Sequence, residues 1–217
     1  MFCFPACLHR WYARPLVVLM LLASPALPTV FAVEWVEVVR TLESAVPRLA
    51  ITYPGGEQGS CSAVIINAKK GYALTAGHCT KIPNATFAFA DQRVLVVKTD
   101  AKLDLSLLSF APKHGWTQLK LAKATPPAGA PALLAGYAFG AEQLYVQAGI
   151  VANPLEKYDG QLILNIEVIS GDSGGPVVNT AGELIGVTVQ AWFAPPAQLT
   201  CAIPVEGVRG FVAEYLP

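Results

Sequence analysis

The chain has 217 residues, 53% of them hydrophobic, and its 15 basic and 15 acidic side chains leave no formal net charge. That is ample material for a buried core, and it gives no support to nucleic-acid or anionic-membrane binding, which call for a basic surface. The 18 glycines and 17 prolines are scattered and no long charged run occurs, which excludes a disordered chain in favour of a turn-rich globular one.

In chain order, the first element is a targeting segment. His9, Arg10 and Arg14 precede the apolar block 16–23, and a proline-containing stretch ends in Val30-Phe31-Ala32. A basic region, a short apolar region and a small residue at the cut predict a secretory signal peptide over residues 1–32. The apolar block falls short of the roughly 20 residues that span a bilayer, so no stable membrane span is expected after cleavage. An uncleaved anchor and a cut after Ala26 are the alternatives. The expected location is exported, periplasmic or extracellular. Loss of Cys3 and Cys7 with the signal leaves Cys61, Cys79 and Cys201, an odd number that allows at most one bridge within the chain. Export makes oxidation plausible.

Trp35, Val38, Val39 and Leu42 then recur at helical spacing between charged residues, which predicts a short amphipathic helix. Beyond it the period shortens. Segments 49–53, 61–67, 72–76, 85–90, 93–99 and 104–110 read as six short strands, separated by turn residues such as Pro54-Gly55-Gly56 and Asp91-Gln92. Strands at this spacing suggest a small closed barrel. Residues 120–131, rich in Ala, Pro and Gly, form a connector. Six more strands follow at 132–137, 144–151, 161–166, 176–179, 184–190 and 199–203, and residues 205–215 place Val208, Phe211, Val212 and Tyr215 on one helical face. The expected units are therefore 33–119, with the helix and first barrel, and 132–217, with the second barrel and final helix.

Three segments carry chemistry. In Ser170-Gly171-Asp172-Ser173-Gly174-Gly175-Pro176, glycines flank a serine in a tight loop that exposes one hydroxyl with little bulk around it. Ser173 is the candidate nucleophile. It requires a base to take its proton and N–H groups to hold developing negative charge, and the amides of Gly171 and Ser173 are candidates for the latter. By itself such a loop is more often an ordinary glycine turn. His78 ends the apolar run Tyr72-Ala73-Leu74-Thr75-Ala76-Gly77-His78-Cys79, and Asp104 lies inside Lys102-Leu103-Asp104-Leu105-Ser106-Leu107-Leu108. An ionised aspartate in so apolar a segment calls for a partner, and a histidine that becomes cationic is one. Asp100 competes for that role but lacks the apolar flanks. The α/β-hydrolase nucleophile elbow also fits the serine loop, but its histidine follows the serine, whereas His9, His78 and His114 all precede Ser173.

With TAGHC, DLSLL and GDSGGP in the order His, Asp, Ser, the chain resembles the trypsin/chymotrypsin-like serine proteases. The resemblance implies an all-β fold of two six-stranded antiparallel β-barrels packed at a catalytic cleft, with short terminal helices. It implies His78 as base, Asp104 as the acid that orients it and Ser173 as nucleophile, with the Gly171 and Ser173 amides as oxyanion hole. It also implies a bridge between Cys61 and Cys79 beside the histidine, with Cys201 left as a buried, unreactive thiol. No metal or organic cofactor is expected, and the three histidines form no ligand cluster. Glu167 would lie at the base of the primary specificity pocket, with Val168, Ile169, Ser170, Val189, Gln190 and Ala191 as walls. A carboxylate there would select Lys or Arg, yet a glutamate at a strand end is more often solvated. Over roughly residues 45–217 the pattern is nearest to the protease domain of HtrA/Deg-type bacterial enzymes. Departures from that branch are Asp172, where it usually has Asn, and the Cys61/Cys79 pair. Trypsin-like zymogens carry a cleavable site whose new amino terminus pairs with the aspartate before the serine; none is visible here, which leaves the partner of Asp172 unassigned. The expected function is an exported serine endopeptidase acting on a protein or peptide through an acyl-enzyme intermediate. The alternative is a latent trypsin-like fold acting as a binding module or on a single partner.

Overall fold

The computed structural model describes residues 35–154, 160–194 and 197–216. The expected signal peptide lies outside the described residues. The predicted first helix is α1 (Val36–Ala45), which buries Leu42 and Ala45 and packs Val38 and Val39 against the same core.

Seven strands follow: β1 (Arg48–Thr52), β2 (Gln58–Ser62), β3 (Val64–Asn67), β4 (Tyr72–Ala76), β5 (Thr86–Phe89), β6 (Gln92–Asp100) and β7 (Leu105–Ser109). They form one sheet in the order β2-β1-β5-β6-β7-β4-β3, with every neighbouring pair antiparallel. The two edge strands, β2 and β3, are separated in the chain by Ala63 alone, so the sheet curls until its edges meet within one bent run. That run was expected as a single strand over 61–67. It starts earlier and breaks at Ala63 because the backbone there turns to other partners: Ala63 N–H donates to Pro47 O (3.0 Å) and Ser62 N–H to Ser173 O (2.8 Å).

The second unit is a closed six-stranded barrel, as expected, in the order β10-β13-β12-β11-β8-β9. Its strands are β8 (Pro131–Gly136), β9 (Tyr145–Pro154), β10 (Leu162–Leu164), β11 (Pro176–Val178), β12 (Leu184–Ala194) and β13 (Ala197–Pro204). Closure leaves no edge to aggregate. Side-chain alternation along β8 sends Ala132 and Leu134 into the barrel interior, and Leu133 and Ala135 into a larger core shared with the first unit. On β11 the split falls between Val177, inside, and Val178, facing the first unit. This two-sided burial is why these strands read as continuous apolar runs.

The connector is not a free linker. Leu184 N–H donates to Lys120 O (2.8 Å) and Ala122 N–H to Leu184 O (2.9 Å), so it runs beside β12. Glu206, in the final helix α2 (Val205–Val212), accepts from Thr125 N–H (2.8 Å) and Thr125 Oγ1 (2.6 Å). Helix α2 buries Val208, Phe211 and Val212. Beyond it Tyr215 stacks edge-on against Tyr72 of the first unit, with ring centroids 5.3 Å apart.

Candidate active site

The first unit presents His78 on a single 3-10 turn (Gly77–Cys79) at the end of β4. Asp104, just before β7, holds that turn from three sides. Its carbonyl accepts from Gly77 N–H (2.6 Å), its Oδ1 accepts from His78 N–H (2.8 Å), and its Oδ2 lies 2.6 Å from His78 Nδ1. The contact fixes Nδ1 as the protonated nitrogen of the neutral ring and leaves Nε2 as its basic atom. Asp104 takes a left-handed backbone (φ 53°), which Asp tolerates better than most residues. Gly77 is required because a Cβ there would stand 2.8 Å from Asp104 Oδ1. Lys81 Nζ lies 3.6 Å from the same oxygen and places a positive charge beside the carboxylate. Asp100, the competing acid, is used otherwise: its Oδ1 accepts from Lys102 N–H (2.8 Å) and Leu103 N–H (3.0 Å), and the Leu103 bond leads in holding its carboxyl below the usual range.

Cys61 and Cys79 are bonded to each other, tying β2 to the histidine turn. These sulfurs and a His78 nitrogen lie within 4.8 Å of one another, but both sulfurs are consumed by the bridge, so the group is no metal site as it stands. Cys79 Sγ is 4.0 Å from the carbonyl oxygen of Ser173, which brings the histidine turn and the serine loop together across the two units. Cys201 is buried in β13.

The loop 170–175 from the second unit can be followed one peptide at a time. Ser170 O accepts from Phe139 N–H (2.6 Å), and Gly171 O from Ser62 Oγ (2.8 Å). Asp172 N–H donates to Ile169 O (3.0 Å), and Asp172 O accepts from Gly175 N–H (2.8 Å). Ser173 O accepts from Ser62 N–H (2.8 Å), and Gly174 N–H donates to Thr188 O (2.7 Å). Among the described residues, three amides in this loop have no protein acceptor, those of Ser170, Gly171 and Ser173, and the last two belong to the residue two before the nucleophile and to the nucleophile itself. Each of these two shares a rigid peptide plane with a carbonyl that is already bonded, Ser170 O and Asp172 O respectively, so each N–H is held pointing away from that bond. Two fixed, unsatisfied amides beside a serine hydroxyl can receive an oxyanion. Gly174 leaves room for this fold: with φ 86°, a Cβ there would lie 2.2 Å from Ser62 O and 2.3 Å from Thr75 Oγ1.

Asp172 is fully buried. Its Oδ2 accepts from Ile169 N–H (2.9 Å), while Oδ1 has no partner among the described residues. The pairing left unassigned in the sequence is thus a single backbone bond, and burial, only partly offset by that bond, raises the carboxyl to about 6.

Of the expected pocket residues, Glu167, Ser170 and Gln190 are exposed and Ile169 and Ala191 half-buried. Val168 is buried, and Val189 is 2% exposed, in the same core as Val187 two residues before it. Glu167 is solvated, three residues beyond β10, and its carbonyl accepts from Gln147 Nε2 (2.8 Å). Beside Ser170 and Gly171 a cleft of about 390 Å³ opens between Arg48, Gln58, Ser60 and Phe139. Ser62 and Phe139 escaped sequence reasoning. The one available signal for Ser62 was a hydroxyl near the start of the mainly apolar run 61–67.

A family model described as trypsin-like peptidase domain matches residues 61–187, a stretch that contains His78, Asp104 and Ser173. The chain is 32% identical over 171 residues to the periplasmic serine endoprotease DegP of Salmonella typhimurium, covering 71% of this chain and 35% of that protein. It is 30% identical over 174 residues to a probable periplasmic serine protease do/HhoA-like of Haemophilus influenzae, covering 73% of this chain and 37% of that protein. The chain therefore spans little more than a third of the length of these relatives. Among solved structures, the HtrA-type protease AlgW with tripeptide superimposes with a TM-score of 0.71 at 26% identity, over 83% of this chain and 62% of that one.

Proposed function

Because the chain belongs to the trypsin-like peptidase family, we propose that it is an exported serine endopeptidase that cleaves a protein or peptide through an acyl-enzyme. The observation that carries the reading is the His78–Asp104 contact at 2.6 Å together with the unsatisfied amides of Gly171 and Ser173. Ser173 Oγ attacks the scissile carbonyl carbon while His78 Nε2 takes the hydroxyl proton. The carbonyl π electrons move to the oxygen, which is held by the Gly171 and Ser173 amides. His78 then delivers the proton to the leaving amine as the C–N bond breaks. In the second half, water attacks the ester, His78 takes the water proton, and the proton returns to Ser173 as the acid product leaves. Asp104 keeps Nδ1 protonated and stabilises the imidazolium that forms in each half. Export rests on the predicted signal peptide and on relatives whose names describe them as periplasmic.

The test is labelling of the mature protein with a fluorophosphonate probe, beside Ser173→Ala and His78→Ala. Labelling of the wild type that is lost in both variants is the expected result. A folded wild type that takes no label would replace this reading with a latent, partner-binding fold.

A further inference from the structure

We infer that Ser62, a residue of the first unit, is the positioning residue that aims the free amides of Gly171 and Ser173 in the second unit's serine loop. The inference rests on the protease reading above. Ser62 is fully buried and its hydroxyl is matched as donor and as acceptor: Oγ donates to Gly171 O (2.8 Å) and accepts from Tyr137 N–H (2.8 Å). Because the incoming amide and the outgoing bond are both assigned, the hydroxyl rotor has one arrangement. Its own amide holds Ser173 O (2.8 Å), and its carbonyl accepts from Thr75 Oγ1 (2.7 Å), which seats it in the first unit.

The peptide plane between Gly171 and Asp172 is the one that stands between the two free amides. Its carbonyl is held by Ser62 Oγ and its N–H by Ile169 O. Gly171, at φ 104°, sits at the junction of that plane with the one carrying its own free N–H, and a glycine offers no side chain to resist rotation. What resists it is bonding on both sides: Phe139 N–H on Ser170 O before the glycine, Ser62 Oγ after it. The two clamps are linked, since the 137–139 segment that provides Phe139 is itself bonded to Ser62 through Tyr137 N–H. Deleting one hydroxyl therefore loosens both. The bond crosses between units, so alignment of the amides depends on how the two are docked and not on the serine loop alone.

The experiment measures the fluorophosphonate labelling rate of the wild type, Ser62→Ala and Ser62→Thr across pH, with thermal melts of each. The probe's phosphoryl oxygen has to be received by the same amides. Removing an oxyanion donor outright costs roughly 10²–10³ in rate, and misaiming one costs less, so Ser62→Ala is expected to label about tenfold more slowly. The midpoint of its pH profile should not move, because the His78–Asp104 pair is untouched. Ser62→Thr, which keeps the hydroxyl, should recover most of the rate. If Ser62→Ala does not fold, Ser62→Cys, similar in shape but a poorer donor, takes its place with a loss of at least about threefold expected. A folded Ala or Cys variant that labels within twofold of wild type would overturn the inference while leaving the protease reading intact. So would a folded Thr variant as slow as Ala. A wild type that takes no label would overturn both.

Discussion

The two halves of the site are held in different ways. The histidine half is fixed by its own unit: Asp104 grips the turn through carbonyl and carboxylate, and the Cys61–Cys79 bridge closes the same region covalently. The serine half relies on groups outside its loop, on Ser62 from the other unit and Phe139 from the segment after β8, and it carries a buried carboxylate with one oxygen unmatched. Side-chain chemistry is thus anchored locally, while backbone chemistry is anchored at a distance. Perturbations of the first half should strike a single side-chain contact or the stability of one unit, whereas those of the second should be graded and sensitive to pH.

The largest effect is expected at the acid. Asp104→Asn preserves shape but offers the wrong partner to Nδ1, and the probe-labelling rate should fall by roughly 10⁴ in a protein that still folds. A loss under tenfold would move the orienting role elsewhere and erase the contrast at its strongest point.

Next comes the bridge. The paired cysteines are 18 residues apart, and closing a loop of that size stabilises a fold by about 3 kcal/mol on the chain-entropy account. The double variant Cys61→Ser, Cys79→Ser should melt roughly 10 °C lower. An unchanged melting temperature would mean that non-covalent contacts alone fix the histidine turn.

The smallest effect belongs to Asp172. Its carboxyl is raised to about 6 from an ordinary 3.8, so the folded chain binds the proton more tightly than the unfolded one. Between those values the native state holds more protons, and its contribution to stability falls as pH rises through the window toward about 6. Above it the penalty of the buried anion is fully present. Asp172→Asn should therefore raise the melting temperature at pH near 8, by the equivalent of roughly 1–2 kcal/mol, and much less near pH 4. An equal shift at both would show that the unmatched Oδ1 plays no part.

How much was legible varies by residue. The strands around Leu74, Leu107 and Val177 could be read because their burial imposes apolar runs bounded by turn residues. The bend at Ala63 could not, since it follows from hydrogen bonds to Pro47 and Ser173, distant in the chain. His78 and Ser173 stood out because glycines and small residues crowd around them for steric reasons that act within a few positions, as at Gly77 and Gly174. Val189 was expected in a pocket wall from the resemblance alone, and its 2% exposure follows from packing against segments distant in the chain.

What the sequence determined by itself is therefore local: which side chains are chemically equipped, which segments are extended and where they turn, all dictated by neighbours in the chain. The tertiary structure alone decided what the buried Asp172 pairs with, where the run 61–67 breaks, and which group of the first unit holds the Gly171 carbonyl. Those outcomes depend on bonds between segments far apart in the chain, such as Ser62 to Gly171, and a hydrogen bond of that kind is specified only when both units have folded and docked.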